Sequence, residues 1–440
     1  MKFYVHKLGC PKNDVDADYI YARLIHEGHQ PVADPEKADS IIVNTCGFIL
    51  PAKEESINEI LKFGKLKKDG YLKTLYASGC LSQRNGDEML KAMPELDGAF
   101  GLGALDSLAT AVNGSEKRAM TVKMEARKLG YLTWNNRFIS DSFPYSYLKI
   151  SDGCDRGCTY CAIPGMRGKF RSRPMDSILK EAQFLADNGK KELILVSQEA
   201  TLYGYNYKGT DKPDIITLLK ELDKIEGIEW IRLMYLYPAE LSTEVIEYLA
   251  GDNKTVNYFD LPFQHVNSEM LKSMARNVTG PQVRDLVKKI RTISNDAVLR
   301  TTFIVGFPGE TDEQFEELAE FIQESKFDRM GVFTYSQEED TPASDMPNQI
   351  DEKVKQERLD RLMLIQQDIA FEKNNRLLDT TQRVIIDTIE DDTAVGRTCG
   401  DCPEVDLEIY IDTSDKVKIG DMVDVKISSV EGYDIYGELV

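Results

Sequence analysis

Between residues 145 and 335, six short apolar runs alternate with stretches of helical periodicity. They lie near 146–150, 192–197, 229–235, 256–261, 298–305 and 330–335. Such runs suit strands buried on both faces, and a helix between consecutive strands makes each connection a parallel crossover. Six βα units of this kind predict an open parallel barrel whose strand ends deliver their loops to one rim.

The chain opens with the same alternation. Apolar runs at 3–8, 41–43 and 74–77 predict buried parallel strands of a small open α/β sheet over residues 1–115. Asn13 or Asp14 is the expected cap of its first helix, which carries Tyr19, Ile20 and Leu24 on an apolar face and stops at Gly28. Residues 116–143 break the pattern and read as a linker. The barrel domain then occupies 144–378, closing on a charged amphipathic helix at 352–377. From 379 to 440 the period changes. Strand-like pieces at 384–387, 408–411 and 424–427, parted by Gly and Asp turns, predict a small all-β barrel.

A chain of 440 residues exceeds one ordinary core, and 42% hydrophobic with 29% charged residues is the balance of a globular protein. No run approaches a membrane span, and the first residues lack the basic and apolar regions of a secretory signal, so a cytoplasmic protein with no membrane partner is expected. In that reducing compartment eight cysteines read as metal or redox chemistry rather than disulfides. A net charge of -20 argues against general polyanion binding.

Cys154, Cys158 and Cys161 share one loop, with three and then two residues between them. Thiolates are the usual ligands of iron–sulfur clusters, and three of them on four irons leave one iron open. A closed zinc site would want a fourth Cys or His, and the loop holds none. This spacing, with Tyr160 before the last cysteine, resembles the radical-SAM superfamily. The resemblance implies that S-adenosylmethionine (SAM) chelates the open iron and is cleaved reductively to a 5′-deoxyadenosyl radical. It also implies that Tyr160, Gln198, Gln264 and Arg300 handle SAM, the last three from segments at the second, fourth and fifth strands. Taken singly, a polar residue at a strand end is more often a cap or loop contact. His265, within the fourth segment, reads equally as structural or functional.

Cys10, Cys46 and Cys80 each follow a predicted strand of the first domain. Parallel strand ends share one edge, the edge at which open α/β sheets bind ligands, so three distant cysteines can meet there. Gly9, Gly47 and Gly79 beside them suit tight turns around a bulky group. Three separately buried thiols are the bland alternative. Over its whole length the chain resembles the methylthiotransferase family, whose members add a three-cysteine domain to a radical-SAM barrel and a C-terminal TRAM domain. Two 4Fe-4S clusters are thereby implied, one on each trio of cysteines. A sulfur species at the N-terminal cluster, methylated by a second SAM, would be delivered to the carbon radical.

Within that family, the Leu8-Gly-Cys-Pro-Lys-Asn13 segment resembles the branch that modifies an aspartate of small-subunit ribosomal protein twelve. So do residues 44–48, 52–56, 396–398 and 403–406. The branch acting on a hypermodified adenosine of tRNA carries a different pair after the first cysteine and tends to a basic tail. The implied partners are therefore the ribosomal protein, free or within its subunit, and an electron donor, with tRNA the alternative substrate. Residues 380–440 carry 15 acidic against 5 basic side chains, a balance of -10. Acids such as Asp406, Glu408 and Asp412 are expected to be exposed and to complement a basic protein rather than RNA. Cys399 and Cys402 form a CxxC with no second pair to complete four ligands, and are expected in an ordinary turn.

Overall fold

The computed structural model describes residues 1–114, 121–122, 137–139, 141–209, 212–412 and 417–440. The first sheet is all parallel, in the order Gln30–Pro31, Lys2–Lys7, Ser40–Thr45, Thr74–Gly79, Gly98–Phe100 and Thr121–Val122. Side-chain alternation divides its core. Phe3, Val5, Ile42 and Tyr76 face the helix Pro11–His26, while Ile41, Val43, Leu75 and Ala77 face the helices Leu50–Lys68 and Cys80–Ala92. Thr121–Val122 lies in the predicted linker yet pairs with Gly98–Phe100, so the sheet extends past residue 115.

The first helix corrects the capping expectation. It begins at Pro11, with Cys10 as N-cap, because proline's fixed φ suits the first helical position. Asn13 is 1% exposed and spends its side chain elsewhere.

Six parallel strands form the open barrel: Tyr145–Lys149, Glu192–Val196, Trp230–Leu233, Tyr258–Gln264, Val298–Val305 and Arg329–Thr334. They pair as two groups of three, joined by the bridge Ile231–Thr255 and the 2.9 Å bond from Leu236 N–H to Asp260 carbonyl. Leu193, Leu195, Leu233, Phe259, Phe263, Phe303 and Val305 point outward into the helical layer. Tyr145, Tyr147, Ile194, Val196, Met234 and Tyr258 instead meet Val15 and Tyr19 of the first helix, and Cys402.

The long helix Glu352–Asn375 leads to a closed five-stranded barrel. Its strands are Thr381–Glu390, Thr393–Thr398, Ile409–Asp412, Met422–Glu431 and Asp434–Leu439. Two of these, Thr393–Thr398 and Asp434–Leu439, were illegible as strands because each carries a glycine and few apolar residues.

Residues 399–407 turn between the strands Thr393–Thr398 and Ile409–Asp412, as expected, but they do more than connect them. They run across the opening between the first and sixth strands of the large barrel. Glu404 accepts from the hydroxyls of Tyr145 (3.1 Å) and Tyr147 (3.2 Å), and Asp401 pairs with Arg329 of the sixth strand. Asp406 accepts from Tyr258 hydroxyl (2.6 Å) and Cys402 N–H (2.9 Å). Its side chain is 2% exposed, so it presents no acidic surface. Cys402 is buried in the lumen cluster, and the Cys399 carbonyl accepts from Arg232 (3.0 Å).

Arg397 locks this seam. Its buried guanidinium reaches Glu192 of the large barrel at 2.8 Å and Asp387 of the small one at 3.1 Å. Removing it leaves the buried Asp387 without a cation, while Glu192 keeps Arg232 at 2.8 Å, so Arg397→Met is expected to cost about 3–5 kcal/mol in urea unfolding. It should also open the segment after Asn375 to protease. An unchanged unfolding midpoint would contradict this account of the joint.

Candidate active site

The first barrel strand runs on into Ser151–Asp152, which pairs antiparallel with Arg171–Ser172. Between them Gly153, at φ +78°, lies so close to the Lys169 carbonyl that a Cβ would stand 2.2 Å from it. Only glycine permits this turn. It launches the loop that carries Cys154, Cys158 and Cys161. Cys154 N–H donates to Gly168 carbonyl (3.0 Å), Cys161 N–H to Cys158 carbonyl (3.1 Å) and Thr159 N–H to Met274 carbonyl (3.1 Å). The three thiols are free and lie close enough to act on one another electrostatically. Burial pushes Cys154 up to about 11 and Cys161 up to about 12.

Cationic and aromatic groups surround this trio. Arg276 approaches the Cys158 sulfur at 3.7 Å and donates to Pro262 carbonyl at 2.6 Å. The Tyr237 ring stacks with both Arg156 (4.2 Å) and Arg276 (4.3 Å), and Arg156 forms a fork to Glu199 at 2.8 and 2.7 Å. Tyr235, Gln264 and Ala275 take positive φ values of 63°, 72° and 53°, a concentration of backbone strain at the barrel rim that marks ligand-holding regions.

The structure places the four SAM-site expectations differently. Gln198 follows the second strand, and both polar atoms of its amide are buried without a partner, as is the hydroxyl of Ser197. Tyr160 packs on Met270, Met274, Phe307 and Tyr335, with its hydroxyl at Cys158. Gln264 ends the fourth strand beside a register shift. Arg300 is the third residue of its strand, and its guanidinium is held by Asp260 (2.8 Å), near Asp406; the other oxygen of Asp260 accepts from Tyr235 N–H (3.0 Å). His265 proves structural: its Nδ1 accepts from the N–H groups of Val266 and Asn267, both at 2.9 Å, which leaves Nε2 to donate to Glu310 (3.2 Å).

The second trio assembles at the edge of the first sheet. Cys10 caps the first helix, Cys46 follows Ser40–Thr45 directly, and Cys80 opens the helix Cys80–Ala92. Gly9 and Gly79 both sit at φ +93°, where a Cβ would strike Cys46 Cβ at 2.8 Å and Thr45 carbonyl at 2.6 Å. The thiols again act on one another, and burial pushes Cys80 up to about 12. Asn13 ties the strand ends together, donating to the carbonyls of Leu8 (3.0 Å) and Thr45 (2.9 Å).

Arg167 joins the two trios. It ends the short helix Ile163–Arg167 that follows Cys161, and it is 5% exposed. Its Nη2 lies 3.4 Å from the Cys80 sulfur, 2.9 Å from Asn13 Oδ1 and 3.1 Å from Asp16, and its Nη1 reaches Asp152 at 3.1 Å. Sequence reasoning missed Arg167, Arg276 and the role of Asn13. Asn13 lay within the segment singled out around Cys10, whereas nothing local marks the two arginines.

The donor chemistry fits the implied groups. Burial disfavours the free thiolates, and ligated iron would favour them, with Arg167 and Arg276 placed beside Cys80 and Cys158 to do the same. The orphaned amide of Gln198 awaits a polar ligand, as SAM would be. Beside Cys10, a cleft of about 500 Å³ opens where the three domains meet, walled by Leu8, Gly9, Asp14, Tyr147 and Glu404. Burial raises the Asp14 carboxyl to about 7.

Comparison with known proteins agrees with this division. The Radical SAM superfamily pattern matches residues 148–322, the uncharacterized protein family UPF0004 matches 2–101, and the TRAM domain matches 380–440. The chain is 42% identical to the ribosomal protein uS12 methylthiotransferase RimO of Clostridioides difficile, over 100% of this chain and 99% of that one. It is 43% identical to the protein of that name from Desulfitobacterium hafniense (100% and 98%) and 40% identical to that of Geobacter sulfurreducens (98% and 97%). In fold it is similar to the radical SAM methyltransferase TsrM of Kitasatospora setae, solved with cobalamin and a 4Fe-4S cluster. The TM-score there is 0.56 at 14% identity, covering 87% of this chain and 80% of that one. With three domain patterns in order and 40–43% identity along its whole length, this chain belongs to the radical-SAM methylthiotransferases, in the family of the uS12-modifying enzymes.

Proposed function

We propose that this enzyme inserts a methylthio group at the β-carbon of an aspartate of ribosomal protein uS12, using two 4Fe-4S clusters. One is held by Cys154, Cys158 and Cys161, the other by Cys10, Cys46 and Cys80. The observation that carries this reading is the bridge through Arg167, which ties the loop of one trio to the sulfur of the other. The bound groups supply radical hydrogen abstraction at the first site and sulfur at the second. Everything else falls to the chain. Tyr160, Gln198 and Gln264 orient SAM, while Arg276 and Arg167 steady the ligating thiolates. The rigid joint between the domains keeps the two sites at a working distance, where proximity replaces diffusion of a reactive species. Arg300 braces the same rim through Asp260, whose other oxygen holds Tyr235 N–H.

The partner reading rests on the exposed face of the small barrel. Glu408, Asp412, Asp434 and Glu438 are exposed on or beside the paired strands Ile409–Asp412 and Asp434–Leu439, flanking the mutually tilted rings of Tyr410 and Tyr436. A basic ribosomal protein complements such a face, and tRNA does not. Such a substrate places the enzyme in the cytoplasm, where an external electron donor reduces it without a membrane. No helix among the described residues is long and apolar enough to cross one.

Changing Cys154, Cys158 or Cys161 to Ala is expected to abolish 5′-deoxyadenosine formation, measured by chromatography of the reduced reaction. The triple Cys10, Cys46 and Cys80 to Ala variant should keep about half the iron and still cleave SAM, yet give no methylthio product. Iron content equal to wild type would remove the second cluster. Charge reversal by Glu408→Lys, Asp412→Lys and Asp434→Lys should slow uS12 modification most at low salt and leave SAM cleavage intact. Equal rates at low salt would end the docking role of this face.

A further inference from the structure

Four lysines are buried among the described residues: Lys12, Lys149, Lys190 and Lys355. Three of them have a carboxylate partner, Lys149 with Asp16, Lys190 with Asp141 and Lys355 with Glu352. Lys12 does not. Its side chain is part of a residue 8% exposed, and no carboxylate among the described residues lies within ion-pair distance of it. Its ammonium stands over the ring of Tyr235, 3.2 Å from the centroid. A ring face offers a desolvated cation less than a carboxylate does, so the charge is held ready for an anion that the chain does not supply.

Its position is between the two cysteine trios. Lys12 is the second residue of the helix that Cys10 caps. Tyr235 lies two residues before Tyr237, whose ring stacks on Arg276 at the Cys158 sulfur. The support beneath the ammonium is built with care. Tyr235 is strained at φ +63°, its N–H donates to Asp260 (3.0 Å), its carbonyl accepts from Ala200 N–H (3.1 Å), and Arg300 clamps Asp260 from the other side (2.8 Å). Strain of this kind persists at ligand clamps, where the surroundings impose it.

We infer that Lys12 binds the side-chain carboxylate of the substrate aspartate, with Tyr235 as the platform that aims the ammonium. The inference rests on the uS12 reading and deepens it. In an aspartate the carboxylate is bonded to the carbon that exchanges hydrogen for sulfur, so one ion pair fixes the reacting atom between the two sites. The same contact selects substrate: a nucleobase brings no carboxylate, and an asparagine brings no charge to offset a buried ammonium.

The test uses cluster-loaded enzyme with SAM and no reductant, so that binding is measured without turnover. Titrations compare uS12 with a uS12 variant in which the target aspartate is asparagine. Wild-type enzyme is expected to prefer the aspartate form by about tenfold or more, the range of a charge-assisted hydrogen bond. Lys12→Met should bind both forms alike, near the level of the asparagine form, and Lys12→Arg should recover part of the preference. Iron content and SAM binding equal to wild type show that each variant is folded. A Lys12→Met enzyme that keeps the preference while wild type modifies uS12 overturns the assignment alone. A wild-type enzyme that modifies no uS12 when reduced overturns the substrate reading and the assignment with it. A purely structural lysine would lower stability and leave the preference unmoved.

Discussion

The buried guanidinium of Arg167 is the contact on which the active arrangement depends. It touches Cys80, Asn13, Asp16 and Asp152, drawn from both cysteine-bearing domains. A charge this deeply buried is tolerable only when its surroundings satisfy it, and losing one partner costs more than the pair ever gained. The two domains therefore cannot drift apart by small steps. Around it, Lys149 pairs with Asp16, Tyr19 with Glu181 at 2.8 Å, and Arg137 with both Asp18 and Glu181 at 2.8 and 3.1 Å. This polar layer fixes the orientation of two sheets that hydrophobic contact alone would leave free to slide.

Closure of the large barrel follows a similar logic at its other end. Six strands leave a gap that a full barrel would fill with two more. Here the first helix covers one part of the lumen, and residues 399–407 reach across another through Glu404, Asp401 and Asp406. Part of the acidity of the C-terminal domain is thereby spent inside the molecule. What remains outward, on the strands bearing Tyr410 and Tyr436, is the part that can meet a partner.

The six barrel strands were legible to within three residues, since fully buried parallel strands are short apolar runs. Cys10, Cys46 and Cys80 were legible because strand ends in a parallel sheet share one edge, and Cys154, Cys158 and Cys161 because their spacing sets three thiols in one loop. What escaped was long-range and polar. Arg167 and Arg276 meet their sulfurs across 87 and 118 residues of sequence, and no local period announces such a pair. Arg300 sat in a motif whose strand was placed correctly, but its ion pair with Asp260, forty residues earlier, left no local mark. Asp406 read as exposed because short loops between strands usually are, and this one is a plug.

The central claim is that one chain joins two clusters to modify one aspartate of one ribosomal protein. Its most direct test is the intact mass and fragmentation of uS12 from cells with and without this gene. The account predicts that uS12 from the complemented cells is heavier by a methylthio group in place of hydrogen, located to a single aspartate, and that cells lacking the gene yield unmodified protein. Identical uS12 masses in the two strains, with a methylthio group missing instead from tRNA, would contradict it.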